Sequence, residues 1–259
     1  MTTRNQGDLL DAETRVPGWS VKFYDRVEST QQLARGRPVW SAVVAREQTA
    51  GRGQADRTFT SDPGGLYVTA VLPYAGDPMA SRGFALAVGW AVREALLEFE
   101  VGDLRLRWPN DLMVGDRKVG GILVEQDGPG SLLVGIGLNV TNHPWLAAPE
   151  LAAIAGRLAD TTPYGRLPEA AVLASSVLVA IRAAHEVFST RRLAGFTAIA
   201  NNCWGAPREV ELEPVAGIGL PLTRGRFMGI DAEGNLLLEG AAKERARIPS
   251  HHVARLRER

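Results

Sequence analysis

Apolar and polar residues alternate roughly along 19–27, as they do in a strand with one face buried and the other in water. At 28–34, Glu-Ser-Thr-Gln-Gln-Leu-Ala places a capping residue before good helix formers. Short runs at 40–45 and 66–72 predict buried strands. Phe84, Val88, Ala91, Ala95 and Phe99 recur at helical spacing, and Val92 and Leu96 fill the same stripe. They predict an amphipathic helix over 79–101 packed on a sheet. Residues 104–108 alternate cleanly, and Gly115-Asp116 between strand-like runs predicts a hairpin turn within 114–119. Apolar strands follow at 122–124 and 132–136, the second running into Gly137-Leu138-Asn139-Val140. Residues 146–202 read mostly helical with a break at 163–168, and 170–184 offers one broad apolar face. From Trp204 the pattern changes to short β segments at 209–212, 225–230 and 235–239, with a turn at Asp231-Ala232-Glu233-Gly234. The fold class is therefore α+β: a flexible tail at 1–18, a mixed α+β domain at 19–204, and a small all-β domain at 205–259.

Composition adds mostly exclusions. The 259 residues are 45% hydrophobic and 22% charged, enough for a sizeable core. Lys plus Arg equals Asp plus Glu at 29 each, without the basic excess of a nucleic-acid binder, so no nucleic-acid partner is expected. Cys203 is the one cysteine, and His143, His185, His251 and His252 are scattered, so no protein-held metal is expected. No apolar run reaches the ~18 residues of a membrane span, and the N-terminus lacks a signal-peptide core. A reduced, soluble, cytoplasmic protein is the expectation.

Three constellations carry candidate chemistry. The loop 48–57 follows a strand and sets Gly51 and Gly53 around Arg52. Its glycines allow close backbone approach to an anion, and Arg52 and Arg57 add donors suited to carboxylate or phosphate. An ordinary polar loop would hold the same residues, and no Walker lysine follows. In Arg107-Trp108-Pro109-Asn110-Asp111, Pro109 breaks strand pairing and is expected to turn Asn110 and Asp111 outward, facing Lys118 across the hairpin, while Gly120-Gly121 leaves room for a ligand. Such a lysine could offset charge developing during adenylation; an exposed Lys–Asp pair on a plain hairpin is the alternative. In Gly135-Ile136-Gly137-Leu138-Asn139, alternate glycines suggest close approach by a neighbour or a ligand, and Asn139 needs a partner if buried.

Taken together, Gln-x-Ala-Gly-Arg-Gly, Trp-Pro-Asn-Asp, Lys-Val-Gly-Gly-Ile-Leu-Val-Glu and Gly-Ile-Gly-Leu-Asn-Val, in this order, resemble the biotin protein ligase family over about residues 21–240. The resemblance implies a mixed sheet with helices, like class II aminoacyl-tRNA synthetases, followed by an SH3-like β-barrel. It implies ATP-dependent formation of biotinyl-5'-AMP with Mg²⁺, then transfer of biotin to a lysine of a biotin carboxyl carrier protein domain. Carried over by position, Ser29, Thr30, Gln48, Gly51, Arg52, Lys118 and Gly121 would bind biotin. Arg52, Gly53, Arg57, Asn110, Asp111, Lys118 and Asn139 would bind ATP or the adenylate, with Lys118 and Arg52 catalytic. Only about 20 residues precede the first strand, too few for a helix-turn-helix module, so the ligase-only form is expected, as a monomer or weak homodimer. Gln54, Asp56 and Phe59 stand where the family usually has arginine, glycine and tryptophan, and Gln31 replaces a common asparagine. The first two departures predict faster escape of the intermediate, which Gln54→Arg with Asp56→Gly would reverse. A lipoate or octanoate ligase or transferase, or a binding sensor without turnover, are the competing readings.

Overall fold

The computed structural model describes residues 16–54, 57–74, 76, 81, 83–163, 167–204 and 208–259. Seven strands form one sheet: β1 (Ser20–Val27), β2 (Ser41–Gln48), β3 (Leu66–Pro73), β4 (Leu104–Arg107), β5 (Asp111–Val114), β6 (Arg117–Gln126) and β7 (Ser131–Leu138). Their order is β1-β2-β3-β7-β6-β5-β4. β1 runs parallel to β2 and every other pair is antiparallel, so the sheet is mixed. The parallel pair needs a crossover. That crossover carries the short helix α1 (Thr30–Ala34), whose first turn is capped by the Ser29 hydroxyl accepting from the Gln32 amide at 3.4 Å.

The two faces of the sheet are covered unequally. Ala42, Val44, Val68, Ala70, Val134 and Ile136 point to one side and join the main core under two long helices. These are α2 (Phe84–Leu97) and α4 (Ala170–Arg191), which pack on each other, with α2 also on β4 and β6 and α4 on β3. On the other side Val43, Ala45, Val71 and Leu133 meet only α1 in a small cluster. The rest of that face is open to a cavity.

Helix α2 is shorter than the 79–101 that its periodicity predicts. Gly83 sits before it in a left-handed conformation (φ 79°), and Glu100, also left-handed (φ 58°), lies beyond its end. Phe99 keeps its place in the apolar stripe by packing on the core from outside the helix. Helix α4 is long and apolar enough to cross a membrane by length and composition alone. Its stripe of Leu173, Val177, Leu178, Ile181 and Phe188 is buried in the core, as in a core helix. Before it, 144–163 forms a four-residue helix, α3 (Pro144–Ala147), and short 3-10 turns, less regular than the mostly helical segment expected.

After α5 (Ala194–Cys203) come five more strands: β8 (Arg208–Pro214), β9 (Arg224–Ile230), β10 (Leu236–Glu239), β11 (Arg245–Ile248) and β12 (Val253–Glu258). They form an antiparallel sheet ordered β11-β10-β9-β8-β12. The outer strands β11 and β12 are not paired with each other, so a closed barrel is not found. This sheet docks on the β4–β5 hairpin. Trp108 Nε1 donates to the Gly234 carbonyl at 3.0 Å, and Arg105 forms a two-pronged pair with Glu258 at 3.0 and 2.6 Å.

Candidate active site

The open face of the large sheet floors a cavity of about 370 Å³. Three of its floor positions are glycines: Gly135 and Gly137 on β7, and Gly121 on β6, directly opposite Gly137. Alternate glycines admit close approach by either a neighbour or a ligand. Here neighbours come close, and each lines the cavity. A methyl added to Gly135 would lie 2.5 Å from Gln31 Oε1, one on Gly137 would lie 2.6 Å from the Phe59 ring, and one on Gly121 would lie 3.2 Å from Lys118 Nζ. The two strands give up three side chains so that three others can lie across them.

Lys118 reaches this position through a break in register. Leu112 pairs with Gly120 but Met113 with Lys118, so Val119 is an extra residue and the ribbon bulges. The Lys118 backbone also bridges to the 154–156 segment, its N–H donating to the Ile154 carbonyl at 2.7 Å. Its ammonium lies 2.5 Å from Asp111 Oδ1 and 5.8 Å from the centre of the Phe59 ring. Arg107 holds the other oxygen, Asp111 Oδ2, at 2.7 Å. Burial raises the Asp111 carboxyl, but the Lys118 and Arg107 charges outweigh it and hold the group below the usual carboxylate range. The site thus keeps an ionised carboxylate between two cations.

Asn110 does not turn outward as the proline suggested. It is buried, and its Nδ2 donates to the Ile122 carbonyl at 2.6 Å, tying the bend after the cis Trp108-Pro109 bond to β6. Asn139 is buried and satisfied: Nδ2 donates to the Gly156 carbonyl at 3.1 Å and Oδ1 accepts from Asn142 Nδ2 at 3.3 Å. Both line the cavity while fixing its walls.

The opposite end is a chain of uncharged groups. Gln48 Oε1 accepts from the Thr30 amide (2.8 Å) and the Thr30 hydroxyl (3.0 Å), while its Nε2 donates to Ser61 Oγ at 2.9 Å. Thr69 Oγ1 reaches Thr30 Oγ1 at 2.9 Å and Gln31 Oε1 at 3.2 Å. Over the cavity folds the loop after β2. Arg52 pairs across the loop with Thr58 and lies 3.3 Å from Glu125, which also holds Arg35. The Gly53 amide donates to the Arg57 carbonyl at 2.7 Å, and Arg57 Nε donates to the Gln54 carbonyl at 3.0 Å.

Of the residues singled out from sequence, Ser29, Thr30, Gln48, Arg52, Gly53, Arg57, Asn110, Asp111, Lys118, Gly121 and Asn139 all line this one cavity. Gly51 does not. A methyl there would sit 2.3 Å from the Phe59 carbonyl oxygen, so its bareness lets the loop fold back on itself. Asp56 lies outside the described residues. Gln31, Phe59, Thr69 and Arg107 were missed as cavity residues, although Gln31 and Arg107 adjoin the motifs. The wall formed by 253–257 of β12 was also missed.

Comparison with known proteins agrees with this geometry. Residues 23–141 match the biotin/lipoate A/B protein ligase family. The chain is 30% identical over 253 residues to the bifunctional ligase/repressor BirA of Escherichia coli, covering 89% of this chain and 74% of that protein. It is 31% identical over 241 residues to the biotin--[acetyl-CoA-carboxylase] ligase of Paracoccus denitrificans, covering 88% and 97%. Among solved structures, the biotin protein ligase from Aquifex aeolicus in complex with biotin and ATP superposes with a TM-score of 0.78 at 27% identity, covering 93% and 99%.

Proposed function

The chain belongs to the biotin ligases of the biotin/lipoate A/B protein ligase family, and from that premise we propose how its cavity carries out ATP-dependent biotinylation. A biotin carboxylate oxygen attacks the α-phosphorus of ATP, the bond to the β-phosphate oxygen breaks, and pyrophosphate leaves. The amine of a carrier lysine then attacks the acyl carbon of the mixed anhydride. An amide forms, AMP departs, and the amine gives up its proton.

The observation that carries this reading is Lys118. Its ammonium sits in the cavity on Asp111, between the uncharged cluster around Thr30 and Gln48 and the wall made by Asn110 and Asn139. A cation so placed offsets negative charge gathering on the carboxylate and the innermost phosphate. In this reading Ser29, Thr30 and Gln48 take the uncharged head of biotin, and Gly121 leaves room for the Lys118 head beside it. Arg52, Gly53 and Arg57 cover the phosphates, while Asn110, Asp111 and Asn139 shape the nucleotide side. The loop that carries Arg52 shields the anhydride from water.

Mg²⁺ would arrive on the nucleotide's phosphates. Asp111, the acidic side chain at this end, is already shared between two cations, and no group of three His, Cys, Asp or Glu side chains is found among the described residues. The partner is a biotin carboxyl carrier protein domain met in the cytoplasm by a monomer or weak dimer. The domains divide at 204–205. The strand order β11-β10-β9-β8-β12, with a 3-10 turn between the last two strands, supports an SH3-like unit.

Incubation with ATP and labelled biotin should release pyrophosphate and label a carrier-domain lysine, whereas lipoate or octanoate in place of biotin should not. Lys118→Met should fold normally and lose pyrophosphate release by a factor of 10² or more, the scale of removing one oxyanion-stabilising group. Unaltered release by that variant would remove Lys118 from the scheme.

A further inference from the structure

The cavity holds its cations in two different ways. Lys118 and Arg107 share Asp111, one on each oxygen, at 2.5 and 2.7 Å. Arg52 shares Glu125 with Arg35, and those two contacts are unequal. Arg35 Nη2 donates to Glu125 Oε2 at 2.9 Å, whereas Arg52 approaches Oε1 through one nitrogen at 3.3 Å. Arg35 also has a second carboxylate, Asp127, at 3.5 Å, and the Gly36 amide donates to Asp127 at 2.7 Å. Withdrawing Arg52 therefore strands no charge: Glu125 keeps Arg35, and Arg35 keeps both carboxylates. Breaking an ion pair is expensive chiefly when it leaves one partner uncompensated, so this contact is cheap to give up. Its place in the fold adds to the contrast. β6 pairs with β7 without a break in register from Gly120 to Gln126, so Gly121, Leu123 and Glu125 share one face. Gly121 and Leu123 line the cavity, and Glu125 does not. Four residues of strand, about 13 Å, separate Glu125 from Gly121, which lies beside the Lys118 ammonium. Arg52 thus lines the cavity while its charge is drawn to the rim, at the end remote from Lys118.

We propose that Glu125 is a positioning residue for the adenylation step: it holds the Arg52 guanidinium at the rim of the empty site and surrenders it to the phosphates when the nucleotide arrives. This inference rests on the reading above that Arg52 covers the phosphates. A polyphosphate offers the guanidinium more negative charge and two-pronged acceptor geometry, where Glu125 offers one oxygen of a carboxylate already shared. Arg35 sets the strength of the hold. By neutralising Glu125 it keeps the grip on Arg52 loose enough to lose. The two partners of the network therefore act on nucleotide affinity in opposite directions: Glu125 competes with the phosphates for Arg52, and Arg35 weakens the competitor.

The test uses the whole chain and follows pyrophosphate release at saturating biotin, giving KM for ATP and kcat separately. The set is wild type, Glu125→Gln, Arg35→Ala, Arg52→Ala, and the first two each combined with Arg52→Ala. Glu125→Gln should lower the KM for ATP about three- to fivefold, the scale of one partly exposed ion pair, even though its melting temperature falls slightly. Arg35→Ala leaves Glu125 to Arg52 alone and should raise the KM for ATP by a similar factor. Both shifts should shrink at high salt, which screens partly exposed charges. Both should vanish once Arg52 is alanine. A network that merely braces the fold would move the KM the same way in both variants, or would move the melting temperature alone. Either result overturns the assignment, and so does a shift that survives in the Arg52→Ala background. An Arg52→Ala chain with the wild-type KM for ATP would instead sink the reading of Arg52 as a phosphate-covering residue, and this inference with it.

Discussion

Asp111 carries two cations at once, and that sets what its loss would do. Lys118 at 2.5 Å and Arg107 at 2.7 Å take its two oxygens, and their side chains are 31% and 20% exposed. Removing the carboxylate leaves two like charges facing each other in a half-buried site. Asp111→Asn should therefore cost roughly 1–3 kcal/mol at pH 7, the range for an unpaired, partly solvated charge. The pH dependence follows from the lowered carboxyl. Its folded value lies below the unfolded one of about 3.9, so the stabilisation is fully present above that pH and is lost as pH falls through the folded value. Urea midpoints of wild type and variant should thus differ at pH 7 and converge as the pH drops below about 4. A gap that stays constant down to pH 3 would show that the ion pairs contribute nothing to stability.

At the scale of elements, the floor of the site is an exchange of side chains between strands and loops, and the exchange separates two kinds of glycine. A methyl on Gly137 meets the Phe59 ring, which can swing away; one on Gly51 meets the Phe59 carbonyl, which is backbone. Gly137→Ala should leave the melting temperature within a degree or two and speed loss of bound adenylate, since the ring that covers Lys118 is displaced. Gly51→Ala should lower the melting temperature as well, because the loop must refold. Thermal melts and single-turnover trapping of the intermediate distinguish the two. This level is also where the sequence was most and least readable. Alternation located β1 and β4 because one face of each is apolar, and an unbroken apolar run located β7. The Gly120-Gly121 pair hid the continuity of β6, which runs unbroken from Arg117 to Gln126. Nothing in the apolar stripe of α2 announced that left-handed Gly83 and Glu100 would bracket a shorter helix. The motif residues were legible as a set, yet Gln31, Phe59 and Thr69 were not, since their roles come from register across β3, β6 and β7 and from a returning loop.

At the scale of the molecule, the active cavity is completed by a strand more than 130 positions away from Lys118. Residues 253–257 of β12 form one wall, and no local pattern foretold this: Val253 and Leu256 are the strand's buried positions, a bulge between Val253 and Arg255 breaks its period, and the charged Arg255, Arg257 and Glu258 follow Ala254. What holds β12 against the β4–β5 hairpin is Glu258. It receives both prongs of Arg105 and lies 3.6 Å from Arg208, with Arg105 and Glu258 only 13% and 17% exposed. A two-pronged pair this dry is geometrically demanding and more than a surface ion pair. Arg105 lies on β4, opposite Met113 of β5, so the same ribbon that presents Asp111 feels the C-terminal sheet. Glu258→Gln should therefore lower the melting temperature by a few degrees, about the effect of 1–2 kcal/mol in a chain of this size. It should also raise the KM for ATP more than that for biotin, since in the proposed reading the head of biotin meets the Thr30–Gln48 cluster on α1 and β2, away from this hairpin. A double-mutant cycle with Arg105→Ala supplies the control: additive losses in stability would mean that the two side chains are neighbours without being partners, and the C-terminal sheet would then be held by its other contacts, among them Trp108 on the Gly234 carbonyl and Asn201 on Ile230.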